Sequence, residues 1–410
     1  MVLFAVLWSM LFIYKSRICI VFEVNMIGGS ILKLNLGLLL EKIWAALFFL
    51  FFTAQILSPM INGKTIYMEI VIAFLNPSFL YWILKNFRFE KRYIFVIFSI
   101  GFFCICGHAE TGIKFVLILF EVVCLFYLKF KKLWYIKFFF FISFIFLVAQ
   151  QAFLVISPEI AMLIGPNNIA HSVWGSYATA SYTNFYAIFE FGLPRTSGLS
   201  REAGFFASFL AVILLNEYYD KKEENKKIGF ASKFMYILAY IVSFSKISLS
   251  LIIIIMALKF NRIFSYVPFG FIVILYFFVF SVFSNLNTEF LLDPSNITFL
   301  HRFGGYVTML NLDVWDVLFG IEISKIQDIY SMPVSEFKDF AGFAGFIIKN
   351  GIISVFVFLI TLYVLGINSL GILVLLFTTL TTSPDTMQNF IVLQYYMLLK
   401  YRIFQQSVTF

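Results

Sequence analysis

An all-α, polytopic membrane fold is predicted by three features of this 410-residue chain: its apolarity, the length of its apolar runs, and the way charge punctuates them. Hydrophobic residues make up 61% of the chain, charged residues 13% and aromatic residues 20%, with a mean hydropathy of +0.94; a soluble domain carries about 25% charged residues. Apolar runs of roughly 15 to 22 residues recur without period-2 alternation. Within a bilayer only helices and closed barrels satisfy every backbone polar group, so the runs predict helices and their pattern excludes a barrel.

Residues 1–14, followed by Lys15 and Arg17, lack a basic leader region and a small-residue cleavage site, and predict a retained span or half-span. The stretch 18–33, with Glu23, Asn25, Gly28 and Gly29, predicts either a poor span or a segment lying at the interface. Further spans are predicted at 34–57, 66–84, 93–109, 113–128, 133–157, 204–219, 228–244, 247–258, 263–283, 344–365, 369–382 and 386–399. The total is about 12 to 14 transmembrane helices in a single membrane domain, 1–410.

Basic residues cluster in alternate connections: Lys85, Arg88, Lys91 and Arg92; Lys129, Lys131 and Lys132; Lys221, Lys222, Lys226 and Lys227; Lys259 and Arg262; Lys400 and Arg402. The positive-inside rule places these connections in the cytoplasm and accounts for the net charge of +8 without a nucleic-acid partner. The remaining connections then face outward, and among them are two large loops, 158–203 and 284–343. The second is net acidic, with Glu289, Asp293, Asp313, Asp316, Glu322, Asp328, Glu336 and Asp339 against Arg302, Lys325 and Lys338. Loops of about 45 and 60 residues exceed what a connection requires, and their aromatic content argues for structure.

Cys19, Cys104, Cys106 and Cys124 all lie in apolar segments, so no disulfide framework is implied. Cys104, Cys106 and His108 would not converge from a single helix, and no metal site is expected. There is no phosphate-binding glycine loop, no H-E-x-x-H and no dinucleotide fingerprint, which excludes a cytoplasmic nucleotide-sugar enzyme and leaves no cofactor to expect.

The most informative stretch is Leu193-Pro194-Arg195-Thr196-Ser197-Gly198-Leu199-Ser200-Arg201-Glu202-Ala203-Gly204, which leads directly into an apolar run. It places two arginines and a glutamate where a loop becomes a helix, and the free N–H groups of a helix start add positive potential there. Arginine binds phosphate through a bidentate fork and keeps its charge at any working pH. The same arginines would also serve as interface anchors for lipid headgroups. Against that, Arg195 and Arg201 are the only lysines or arginines in a loop otherwise polar and aromatic, on the side of the membrane where insertion does not select for them.

From Pro194 to Leu210 the string P-R-T-S-G-L-S-R-E-A-G-F-F-A-S-F-L resembles the R-x-S-G-x-x-x-E-x-x-x-x-A pattern of O-antigen polymerases of the Wzy type and of the related O-antigen ligases. Three other stretches are similar to parts of that family: Ser243 to Ser248, resembling a short outer turn; His301-Arg302-Phe303 with Leu318-Phe319-Gly320, resembling the second outer loop; and Asn350-Gly351-Ile352, resembling the return into the membrane. The resemblance covers roughly residues 93–400 and implies a GT-C-like fold in a bacterial cytoplasmic (inner) membrane. It implies transfer of a glycan from undecaprenyl diphosphate to the sugar hydroxyl of another lipid-linked repeat at the outer face, without a metal.

In that chemistry fixed cations stabilise the departing diphosphate, and a base takes the acceptor proton. Arg195 and Arg201, then Arg302 and Lys246, are the candidates for the diphosphate; Glu202 and His301 are the candidates for the base. Glu202 would alternatively pair with a neighbouring arginine or sit as a favourable charge in the first helical turn, and His301 would alternatively contact backbone or headgroup. Trp174, Tyr177 and Tyr182 would stack on sugars, or belong to the ordinary interfacial belt. Ligases of the family carry a histidine before the span that follows the second loop. Here that region reads Phe337-Lys338-Asp339-Phe340-Ala341-Gly342, which favours a polymerase. Expected partners are the bilayer, a lipid-linked oligosaccharide, a chain-length regulator and a flippase. A flippase is itself the rival reading, set against the short loops and mid-span charges that carriers use.

Overall fold

A computed structural model describes residues 21–25, 31–61, 64–86, 90–129, 134–157, 159–160, 169, 172–173, 196–243, 267–286, 297–321, 340, 342–367, 369–379 and 382–407. The described chain is mostly helical and falls into two compact units, 1–88 with 120–246 and 89–119 with 247–410. Four described helices are long and apolar enough to cross a membrane: Ala109–Leu128, Trp134–Ile156, Phe269–Leu286 and Gly342–Leu365. The bent pair Met68–Phe74 and Pro77–Asn86 adds a fifth when taken as one span.

The first unit begins with two strands, β1 (Val21–Asn25) and β2 (Ile31–Asn35), paired antiparallel. They stand where the sequence predicted a poor span or a segment lying at the interface, and residues 21–25 and 31–35 are strands, not part of a helical span. V-F-E-V-N and I-L-K-L-N both alternate with period 2, and their register sets residue 23 opposite residue 33. Next come α1 (Leu36–Thr53), a 3-10 turn at Gln55–Leu57, and the short pair β3 (Met60–Ile61) and β4 (Lys64–Thr65).

The span expected at 66–84 is two helices, α2 (Met68–Phe74) and α3 (Pro77–Asn86), bent by 69°. Asn76-Pro77 is the cause. Proline cannot donate to the preceding turn but suits a first helical position, and the Asn76 Oδ1 accepts the Phe79 N–H at 3.0 Å as a new cap.

The second half of α5 (Ala109–Lys129), α6 (Trp134–Ile156), α7 (Ala203–Glu223) and α8 (Phe230–Ser243) complete this unit. In lipid the helices gain nothing from leaving water, so shape and dispersion hold them together. Interlocked rings supply that contact: Phe140 stacks on Phe206 with centroids 5.5 Å apart, Phe52 meets Phe209 edge-on, and Trp44 lies between Phe48 and Tyr127. Each such pair contributes about 0.5–1.5 kcal/mol. Lys137 and the Tyr236 hydroxyl both engage the buried carboxylate of Glu217, the lysine at 2.9 Å.

The second unit contains α4 (Arg92–Ile105), the first half of α5, α9 (Phe269–Leu286), α10 (Ile297–Thr308), α11 (Val314–Phe319), α12 (Gly342–Leu365), α13 (Ser369–Thr378) and α14 (Asn389–Ser407). Segment 284–343, expected as a loop, thus carries two helices. α10 and α11 both pack on α12, which is broken at Gly351, where φ is 75° and ψ 159°. Leu318-Phe319-Gly320 and Asn350-Gly351, two stretches far apart in sequence, cross here. A Cβ on Gly351 would lie 2.3 Å from the Leu318 carbonyl oxygen, and one on Gly320 would lie 2.3 Å from that of Lys349. The Ile321 N–H donates to the Ile348 carbonyl at 3.0 Å, and a ring nitrogen of His108 meets the Phe319 carbonyl at 2.7 Å.

Gly351→Ala should therefore destabilise the folded protein by at least about 1–3 kcal/mol, the usual cost of one strained backbone position. Gly270→Ala, where nothing lies within 4 Å of the added carbon, should stay within about 1 kcal/mol of the parent. Thermal unfolding of the purified protein in detergent checks both.

Candidate functional site

In the first unit the stretch Thr196 to Ser200 is buried, although it has no regular structure. Its backbone is held on three sides. The Leu199 N–H donates to the Ser143 Oγ at 3.0 Å and the Ser197 N–H to the Gln150 Oε1 at 3.3 Å, both on α6. The Thr196 hydroxyl donates to the Val242 carbonyl of α8 at 3.3 Å. The Leu199 carbonyl accepts the Ile56 N–H of the 3-10 turn at 3.2 Å. Gly198 has φ of 55°, and its α-carbon is pressed so close to α6 that a Cβ would lie 2.5 Å from the Ser143 carbonyl oxygen. A small-residue sequence, T-S-G-L-S, is what allows such an approach.

This loop delivers Arg201 and Glu202 to the start of α7. Glu202 is the N-cap residue, with extended backbone (φ −143°, ψ 150°) and no side-chain bond to the helix end. Arg201 is only 7% exposed, and its guanidinium carbon sits 5.6 Å from the centre of the Tyr67 ring. An arginine anchoring an interface extends its charge toward water. Arg201 does the reverse.

The residues gathered around Arg201 come from three other segments of the unit. Glu69, in the first turn of α2, is 1% exposed, lies within electrostatic reach of the arginine, and accepts a hydrogen bond from the Ser58 hydroxyl at 3.5 Å. Glu121, in the middle of α5, is also 1% exposed, and Phe120 beside it stacks on Phe74 of α2 with ring centroids 4.1 Å apart. The site is therefore one guanidinium, two carboxyls, a phenol and an amide, enclosed by apolar helices.

The second unit holds His301 and Arg302 next to each other on α10, with Arg302 half-buried. It also has an irregular polar segment, 382–389, enclosed between α13 and α14. There Asp385 accepts bonds from the Ser383 hydroxyl and, at 3.4 Å, from the Thr111 hydroxyl, while the Tyr395 hydroxyl donates to the Pro384 carbonyl at 3.1 Å. An apolar cavity of about 390 Å³, lined by Val273, Phe277, Ile347, Val355 and Phe356 among others, lies in the same unit.

Of the residues singled out from sequence, Arg201 and Glu202 are brought together at α7, and His301 and Arg302 on α10. Arg195, Lys246, Trp174, Tyr177 and Tyr182 lie outside the described residues. Sequence reasoning missed Tyr67, Glu69, Gln55 and Asp385, and it set Glu121 aside as one of a few mid-span charges. The signals were present: a glutamate inside Y-M-E-I-V-I-A-F, another inside I-L-F-E-V-V, and the polar run T-T-S-P-D-T-M-Q-N between two apolar helices.

Fold and site together define an α-helical membrane protein with a buried, charged cluster at a helix start. Comparison with known proteins finds no family, no characterised protein and no solved structure that matches the chain.

Arg201→Met should destabilise the protein by about 3–5 kcal/mol, because it leaves Glu69 buried without its counter-charge. Adding Glu69→Gln should recover part of that loss. A double-mutant cycle on unfolding midpoints measures the coupling, and strictly additive effects would mean that the two groups do not interact.

Proposed function

We propose that this chain is a metal-independent glycosyltransferase that polymerises polysaccharide repeat units. It would transfer a glycan from undecaprenyl diphosphate to the sugar hydroxyl of another lipid-linked repeat, at the outer face of a bacterial cytoplasmic membrane. The observation that carries this reading is the burial of Arg201 at the start of α7, inside the longest of the stretches whose sequence resembles the polymerase and ligase family. A guanidinium held away from water, beside the positive end of a helix dipole, is suited to a phosphate oxygen that gains charge as the glycosidic bond breaks.

In this reading Arg195, Arg302 and Lys246 assist at the diphosphate, and Glu202 or His301 takes the acceptor proton. Trp174, Tyr177 and Tyr182 offer ring faces to sugars. The bundle has about 12 to 14 spans, with segments 158–203 and 284–343 facing outward. A chain-length regulator and a flippase are its expected partners.

A second reading, a carrier of lipid-linked oligosaccharide, is favoured by Glu69 and Glu121. Buried carboxyls inside apolar helices are costly and mark ion and substrate paths in transporters. The two readings differ in what accumulates when the protein is lost. Without a polymerase, single repeats collect on the outer leaflet; without a carrier, they stay on the inner leaflet.

Arg195→Ala and Arg201→Lys tests the assignment: each should abolish long polysaccharide while protein level and single-repeat glycolipid remain. The lysine keeps the charge beside Glu69 but loses the bidentate fork. A normal polymer ladder on a gel in both variants would sink the diphosphate assignment.

A further inference from the structure

Building on the reading of the substrate as a lipid-linked glycan at the outer face, we propose that α11 is a glycan-binding platform. Trp315 and Phe319 stack on pyranose rings of the growing chain, and the carboxylates of Asp313 and Asp316 accept hydrogen bonds from its hydroxyls.

The reasoning starts from exposure. α11 buries none of its side chains, and Trp315, the largest of them, is 71% exposed. Phe319 follows four residues later, which places the two on one face of the helix. Their rings are nearly parallel, 16° apart in plane with centroids 5.9 Å apart, and Phe319 is 40% exposed. Large rings left exposed side by side mark a place where something binds.

The helix under these rings is held through its backbone. A ring nitrogen of His108 meets the Phe319 carbonyl at 2.7 Å, and the Ile321 N–H donates to the Ile348 carbonyl at 3.0 Å. Between them Gly320 is pressed against Lys349 and Asn350 of α12, with no room for a Cβ. None of these supports uses either ring. Aromatic faces already fixed in place lose little freedom when a ligand settles on them, so more of the contact energy appears as affinity.

Charge and shape select the occupant. The face of an aromatic ring carries negative potential, and the C–H bonds along one side of a pyranose meet it with the opposite sign. Asp313, the exposed N-cap residue, makes no side-chain bond to the helix end, and Asp316 stands three residues before Phe319, beside it on the helix surface. Ionised carboxylates only accept hydrogen bonds, and sugar hydroxyls supply donors. Residues 303–324 contain no lysine or arginine, which disfavours a phosphate or an anionic headgroup at this place. The platform therefore takes the sugar part of the substrate and leaves the diphosphate to other residues. A quaternary ammonium is enclosed by rings set around it, whereas these two are parallel and open. The bilayer interface is the other common home of an exposed tryptophan, but helices that lie there carry basic residues on their polar face, and α11 carries acids.

The test uses the purified full chain in lipid nanodiscs and, as probe, short lipid-free oligosaccharides cut from the producing cell's own surface polysaccharide. Calorimetry should show binding that Trp315→Ala weakens about tenfold, the equivalent of one aromatic contact. Trp315→Tyr, which keeps a ring, should stay within about threefold of the parent. Because Trp315 is exposed, Trp315→Ala should leave the unfolding midpoint in place, which separates a lost contact from a lost fold. The difference in emission between the parent and Trp315→Phe isolates this ring: the probe should shield it from dissolved acrylamide, and brominated phospholipid chains should not quench it.

Parent-like binding by Trp315→Ala overturns the platform and leaves the polymerase reading standing. Quenching of this ring by brominated lipid places α11 in the bilayer interface and overturns it as well. Absence of binding by the unmodified protein at millimolar probe also overturns the platform, and chain growth by the same preparation decides the polymerase reading separately.

Discussion

The burial of the Arg201 guanidinium against the Tyr67 ring, with the buried Glu69 carboxyl within electrostatic reach, is the constraint on which the organisation of the first unit turns. Neither charge would be stable alone among apolar helices, and each brings its own segment. Arg201 arrives on a loop clamped to α6 and α8 through Ser143, Gln150 and Val242. Glu69 arrives on a helix that is only seven residues long because Asn76-Pro77 ends it, and its carboxyl is steadied by the turn that follows α1. Loosening any of these supports moves a charge as well as a chain.

Both units place irregular backbone inside protein, which is where a membrane protein tolerates it. In the first unit the loop before α7 spends its N–H groups on side chains of α6. In the second, the broken α12 receives α11 at Gly320 and Gly351 through backbone contacts too close for any side chain, and the polar segment 382–389 is tied down through Asp385, Ser383, Thr111 and Tyr395. Unwound segments of this kind expose backbone and side-chain polar groups at membrane depth, and ligands of membrane enzymes and carriers bind at such places.

Much of the helical framework was legible from sequence because a bilayer imposes one requirement, a long apolar run, that a linear pattern can reveal. The runs at 34–57, 113–128, 133–157, 263–283 and 344–365 correspond to α1, α5, α6, α9 and α12 to within several residues. Breaks were harder to see. Asn76-Pro77 was visible yet lay inside an otherwise continuous apolar run, and the interruption at Gly351 depends on Leu318 approaching from elsewhere in the chain. α10 and α11 escaped notice because each is short and polar enough to read as loop.

For the site, one half was legible. Arg201 and Glu202 stand out as charges at a loop-to-helix boundary, with small residues before them. The surroundings of Arg201 did not stand out, since bringing residue 201 against Tyr67 and near Glu69 is a tertiary fact that neither local stretch carries. An isolated glutamate in an apolar run signals only that some partner exists. Its surroundings come from the packing of α2 against the turn after α1 and against α5.

The most direct measurement of the central claim is chain growth by the purified protein in vesicles, supplied only with undecaprenyl diphosphate-linked repeat units and a metal chelator, with no nucleotide sugar present. A ladder of lipid-linked products lengthening by whole repeats, with release of undecaprenyl diphosphate, is the expected result. Movement of intact single repeats across the vesicle membrane without any lengthening would contradict it and would favour the carrier.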